Sequence, residues 1–260
     1  MTSRSSAVAG IFYPADPGVL ASAVNGLLRN ANAECGGRIK ALIAPHAGFV
    51  YSGPIAANAY HALGPVADDI RRVVLLGPAH RVPLRGMAFP SVTAFETPLG
   101  TVPLDTGAIA RALQLPQTAV SDRAHALEHC LEVQLPFLQT VLKDFELVPF
   151  LVGHCAAEAV AAVLQALWGG DETLIIVSSD LSHFLPYGQA QVADHRTTQA
   201  IAARSSDLNG EEACGAFPIN GLMVVARALD LRVTTLDVRN SGDTAGDRDR
   251  VVGYGAYALT

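Results

Sequence analysis

Basic residues are in short supply: 18 Lys and Arg stand against 24 Asp and Glu, a formal net charge of -6 over 260 residues. Neutralising a phosphate backbone needs the opposite balance, so nucleic acid is not expected as a main partner. Cysteines are few as well, at positions 35, 130, 155 and 214, with no CxxC pair among them. Such spacing supports neither a zinc finger nor a disulfide framework, and each thiol reads first as a small buried hydrophobe. No apolar stretch is both long and unbroken. Residues 41–67 lack Asp, Glu, Lys and Arg, but Pro45, Gly48, Gly53, Pro54, Gly64 and Pro65 interrupt them, so they read as buried core and no membrane span is expected. The opening MTSRSSAVAGIFYP lacks the shape of a secretory signal, which leaves a cytoplasmic location as the expectation. Also missing are a GxSxG elbow, a GxxxxGK[ST] loop and a GxGxxG after a strand, so serine hydrolysis, P-loop phosphate binding and the dinucleotide fingerprint have no local support.

What is present is an apolar chain, half of it hydrophobic, whose length suits one large α/β domain, 1–260. Continuous apolar runs at 38–45, 71–77, 146–152, 173–179, 232–239 and 251–258 read as strands covered on both faces. Between them, Ala- and Leu-rich segments with helical spacing occupy 17–29, 53–62, 105–114, 131–142, 156–168, 189–204 and 218–229. The alternation predicts an α/β fold with a central, largely parallel sheet flanked by helices. The segment NSGDTAGDRDR, 240–250, reads as a solvated connection before the last strand.

In open α/β sheets ligands collect beyond the carboxyl ends of strands. His46 follows ALIAP, His80 follows VVLLGPA, and Asp180 and His183 follow LIIVSS. Three strands thus deliver imidazoles toward one edge, in Gly and Pro contexts that allow tight turns. His46 and His80 with one more donor would form a facial metal site with open positions. The third donor is left open among Cys214, Glu211, Glu212 and Asp180. Cys214 sits at the mouth of the helix expected at 218–229, where the helix N-terminus would favour its thiolate. A rival grouping is HALEHCLEVQ, 125–134, which on a helix would place His125 with His129, and Glu128 with Glu132, on shared faces. It lacks the HExxH order of a zinc protease, so a helix N-terminal region is the plain alternative, with Glu128, His129 and Glu132 as pocket candidates.

GIFYPAD at 10–16, APHAGFVYSG at 44–53, LLGPAH at 75–80, EHCLEVQLPFLQ at 128–139, SSDLSHF at 178–184, CGAFPI at 214–219 and the tail NSGDTAGDRDRVVGYGAYAL together resemble the MEMO family, also called AmmeMemoRadiSam system protein B in bacteria and archaea. The resemblance runs in order along nearly the whole chain. It implies a fold similar to the LigB-type class III extradiol dioxygenases. It further implies His46, His80 and Cys214 as metal ligands, with Asp180 and His183 as a neighbouring acid/base pair. Fe(II) is the metal expected first, with Cu(I) or Zn(II) as alternatives, since thiolate in place of carboxylate is a softer donor. The function implied is a non-haem-iron-type oxidoreductase acting on an unidentified small molecule. A non-catalytic Cu(I)- or iron-binding or partner-presenting protein is the alternative, and a zinc hydrolase a third reading. Radical-SAM and AMME-syndrome-candidate-type proteins are the associates that the family name implies.

Overall fold

The computed structural model describes residues 2–260. In chain order the elements are β1 (Ser3–Arg4), α1 (Pro17–Asn30), β2 (Ala41–Ala44), α2 (Phe49–His61), β3 (Arg72–Pro78), β4 (Met87–Phe89), β5 (Ala94–Thr97), β6 (Gly100–Pro103), α3 (Thr106–Ala112), β7 (Thr118–Val120), α4 (Asp122–His125), α5 (Leu135–Val141), β8 (Glu146–Val152), α6 (Ala157–Leu167), β9 (Thr173–Ser178), β10 (His183–Leu185), α7 (Tyr187–Ala202), α8 (Ala216–Ala228), β11 (Val233–Asn240) and β12 (Val251–Leu259). Short 3-10 turns lie at Glu132–Gln134 and Ser241–Asp243.

Nine strands form one mixed sheet in the order β10-β12-β2-β9-β3-β8-β4-β7, with β11 also paired to β12. Its centre, β2-β9-β3-β8, is parallel throughout. The expectation of a largely parallel sheet therefore describes the middle, while β12 against β2 and β4 against β8 run antiparallel. The central strands are buried along nearly every residue, as runs such as VVLLG and TLIIVS require when both faces are covered. Helices α1, α2 and α5 pack together as one group, and α3, α6 and α8 as another. A separate three-stranded sheet, β1-β5-β6, joins the N-terminus to the 94–103 hairpin.

Two local expectations change. Helix α2 starts at Phe49, four residues ahead of Gly53, and carries Pro54 inside it. The helix anticipated through 131–142 is divided into a 3-10 turn and α5, and HALEHCLEVQ is not helical across 126–131. There the Glu128 carboxylate accepts hydrogen bonds from the backbone N–H groups of His129 and Cys130, a local side-chain alternative to helix continuation. Among the described residues no helix is long and apolar enough to cross a membrane.

Candidate metal centre

Because β2, β9 and β3 are parallel neighbours in register, with Ala44 opposite Ser178 and Leu76 opposite Val177, their carboxyl ends share one edge. Two residues beyond each strand stand His46, Asp180 and His80. The ring centroids of His46 and His80 are 5.2 Å apart. His46 is 2% exposed, and its Nδ1 meets Ser178 Oγ at 2.9 Å. His80 is more open, and its Nδ1 meets Glu128 Oε1 at 2.9 Å while its backbone N–H donates to the other carboxylate oxygen. Each ring therefore has Nδ1 engaged; Nε2 of His80 is left free, and Nε2 of His46 meets only the Cys214 sulfur, the usual arrangement of a metal-binding histidine with an outer partner.

Cys214 reaches this edge from the turn before α8. Its backbone N–H donates to Asp180 O at 3.3 Å, and Asp180 N donates back to Sγ at 3.3 Å. The close approach depends on Gly215: a Cβ there would stand 2.6 Å from Ser179 Cβ. Sγ lies 3.4 Å from His46 Nε2. The tightest all-imidazole grouping is nevertheless His46, His80 and His129, whose ligand atoms fall within 4.8 Å of one another; Cys214 stands beside His46, outside that set. His129, named from sequence only as a pocket residue, has its ring centroid 4.9 Å from that of His80 and 5.4 Å from that of His46. Its buried Nδ1 sits 3.2 Å from Glu128 Oε1 but off the direction a hydrogen bond needs, so it has no partner.

The remaining candidates separate. Asp180 accepts the His46 backbone N–H at Oδ1, 2.7 Å, with Oδ2 4.0 Å from His46 Nε2. Among the described residues it makes no hydrogen bond to His183, so it orients the His46 loop and not the His183 ring. His183 stands between two chambers of the cleft. The first, about 790 Å³, is bounded by His80, His183, Cys214, Arg196, Glu211 and Glu212. The second, about 530 Å³, is bounded by Phe12, Tyr51, His129, Asp180, His183, Phe184, Arg250 and Tyr254. Glu132 is outside the cleft: it is fully buried against Arg4, the backbone N–H groups of Ala7 and Val8, and the Tyr13 hydroxyl. His125 faces away too, with Nε2 on Ala88 O. Glu211 and Glu212 border the first chamber, but the Glu212 carboxylate accepts hydrogen bonds from the backbone and side-chain amides of Asn209. Segment 240–250 is more than a solvated link, since Ser241, Gly246, Asp247 and Arg250 form one wall of the second chamber. Loop composition hides such a role.

The surroundings of His46 and His129 favour their neutral forms. Burial, then the neighbouring His80, hold His46 well below the usual histidine range. Burial and His46 lower His129 to about 4. Burial alone would raise Glu128, but the hydrogen bonds and charge of His80 outweigh it and hold the carboxyl far below its ordinary value. The thiolate expected at Cys214 from its helix-end position is opposed by its surroundings. Burial and the nearby Asp180 push the thiol up to about 12, so a metal taking Sγ as ligand would have to displace a proton.

A mixed α/β sheet that gathers imidazoles, a thiol and buried carboxylates at the carboxyl edge of its parallel strands defines an α/β protein with a candidate metal-binding group. The chain belongs to the Memo-like protein family, whose sequence pattern matches residues 4–258. It is 35% identical over 278 residues to a MEMO1 family protein of Methanothermobacter thermautotrophicus, covering 96% of this chain and 98% of that one. It is 33% identical over 270 residues to a MEMO1 family protein of Aquifex aeolicus, covering 98% of each. Among solved structures it is similar in fold to an uncharacterized protein of Escherichia coli K12, with a TM-score of 0.56 and 14% identity over 84% of this chain and 99% of that one.

Proposed function

We propose that the cleft is the metal centre of a non-haem-iron-type oxidoreductase acting on a small molecule, with His46, His80 and Cys214 as ligands and Fe(II) as the metal. The observation that carries this reading is the pair of engaged Nδ1 atoms on His46 and His80, which leaves both Nε2 atoms as donors in the cleft that Cys214 also lines. Two imidazoles and a thiolate form a donor set that iron, copper and zinc accept. The orphaned Nδ1 of His129 adds a buried polar atom suited to an incoming ligand. Bound here, Fe(II) would supply a one-electron couple and Lewis acidity. The chain's own contributions are positional. Ser178 and Glu128 fix the two rings, Asp180 holds the His46 backbone, and Ser179 Oγ accepts the Gly215 N–H that secures the Cys214 turn. His183, partly buried between the chambers, is placed to move a proton to or from a bound molecule.

The deciding experiment is elemental analysis of protein purified without oxygen or chelator, wild type beside Cys214→Ser and His183→Ala. Near-stoichiometric iron, lost in Cys214→Ser and kept in His183→Ala, supports the proposal. Copper would point instead to a non-catalytic metal binder, and zinc to hydrolysis. No metal even after anaerobic loading would overturn it.

A further inference from the structure

Strand β10 contains a break in pairing. His183 pairs with Val252 and Leu185 with Val251, so Phe184 is an extra residue, a β-bulge. Its φ is 60°, in the left-handed region. The other non-glycine residues with positive φ, Arg204 and Asp230, directly follow the ends of α7 and α8, where that conformation commonly terminates a helix. Phe184 has no such excuse, and its ring is 59% exposed, so burial does not offset the strain. In a regular strand His183 and Phe184 would point to opposite faces. The bulge instead sets both against the second chamber, the kind of re-aiming for which bulges beside functional sites are kept.

Over the Phe184 ring, at 5.0 Å from its centroid, lies the guanidinium of Arg250. Among the described residues that guanidinium has no hydrogen bond and no carboxylate within ion-pairing distance. Asp247, which borders the same chamber, commits Oδ1 to the backbone N–H groups of Asp249 and Arg250. The stacking holds a planar two-pronged donor at the cavity wall, exposed and not committed to any other side chain among the described residues. Aromatic rings of Phe12, Tyr51 and Tyr254 line the rest of an open cleft of about 530 Å³, the size of a small-molecule site.

We propose that this chamber binds a small flat carboxylate, its ring against Phe184 and its carboxylate clamped by Arg250, with its far end directed to His183 and Asp180. This rests on the reading of the cleft as a substrate site and names the substrate class.

The probe is benzoate, titrated calorimetrically into the full-length chain, with benzamide and acetate as controls lacking the charge or the ring. Benzoate is expected to bind about tenfold or more tightly than either control. Arg250→Gln should abolish the preference for benzoate over benzamide while Zn(II) stoichiometry is unchanged, and Phe184→Leu should weaken both aromatic probes together. Equal affinity for benzoate and benzamide, or benzoate binding unaffected by Arg250→Gln, overturns the proposal; so does binding that disappears on metal removal and ignores Arg250, since the carboxylate would then be a metal ligand. Arg250-dependent binding in a protein that takes up no metal would uphold this inference and sink the metal-centre reading. Stoichiometric iron without any benzoate preference would do the reverse.

Discussion

At the scale of single residues, Glu128 does two jobs with one carboxylate. It fixes the His80 ring and backbone, and it turns the chain at 129–130 so that His129 enters the cleft. Glu128→Gln keeps the shape but loses the charge that makes His80 a strong donor. Zn(II) affinity, measured by competition with a chromophoric chelator, is expected to fall about 10- to 100-fold while the fold survives. Phe184 offers a second test. Replacing it by Gly removes the left-handed penalty, and replacing it by Ala keeps the penalty but loses the ring. The Gly variant should be the more stable of the two by about 1 kcal/mol in denaturant titration.

At the scale of elements, the irregular 125–134 segment is held by the N-terminal strand β1. Arg4, 7% exposed, donates to the carbonyls of His125 and Glu128 and to the Glu132 carboxylate at 2.6, 2.5 and 2.8 Å. Those two carbonyls are acceptors that a continuous helix would have used for itself. Helical spacing in HALEHCLEVQ is thus overridden by a partner more than 120 residues away in sequence. Arg4→Met strands a fully buried carboxylate, and the expected cost is about 3–5 kcal/mol of folding stability. Amide hydrogen exchange should quicken over 125–134 before it does in β3 or β9.

At the scale of the whole molecule, acid sensitivity should have a particular window. His125 is buried, and desolvation lowers it to about 4 despite its bond to Ala88 O. The unfolded chain therefore binds a proton near pH 6.5 that the folded chain refuses until about pH 4. Stability from this group is complete above about pH 6.5 and is lost as pH falls through that window, by roughly 3 kcal/mol in all. Urea midpoints across pH 4–7 check this for the wild type. The decline should be shallower in His125→Gln, which has no proton to gain.

Much of this architecture was legible because burial on two faces leaves a mark in the chain. Runs such as VVLLG, LVPFLV and TLIIVS can only be interior strands, and His46, His80 and Asp180 follow three of them at a distance that parallel pairing converts into one edge. Less was legible where strands are brief. β4, β5, β6 and β7 have three or four residues each, too few to show a period, and they exist because partners elsewhere complete their ladders. Cys214 has no strand before it to announce it. The CGAFPI motif singles it out by family resemblance, and its contact with His46 requires the α7 excursion and the bare Cα of Gly215 against Ser179. The α/β class, the central strands and the edge where His46, His80 and Asp180 gather could be read from the chain alone, since apolar runs and the residues that follow them are local features. That Glu132 serves the N-terminus and not the cleft, that His129 joins His46 and His80, and that burial raises the Cys214 thiol came from the assembled fold. Each of these depends on groups brought together from distant parts of the chain, and desolvation and hydrogen bonding between such groups have no sequence signature.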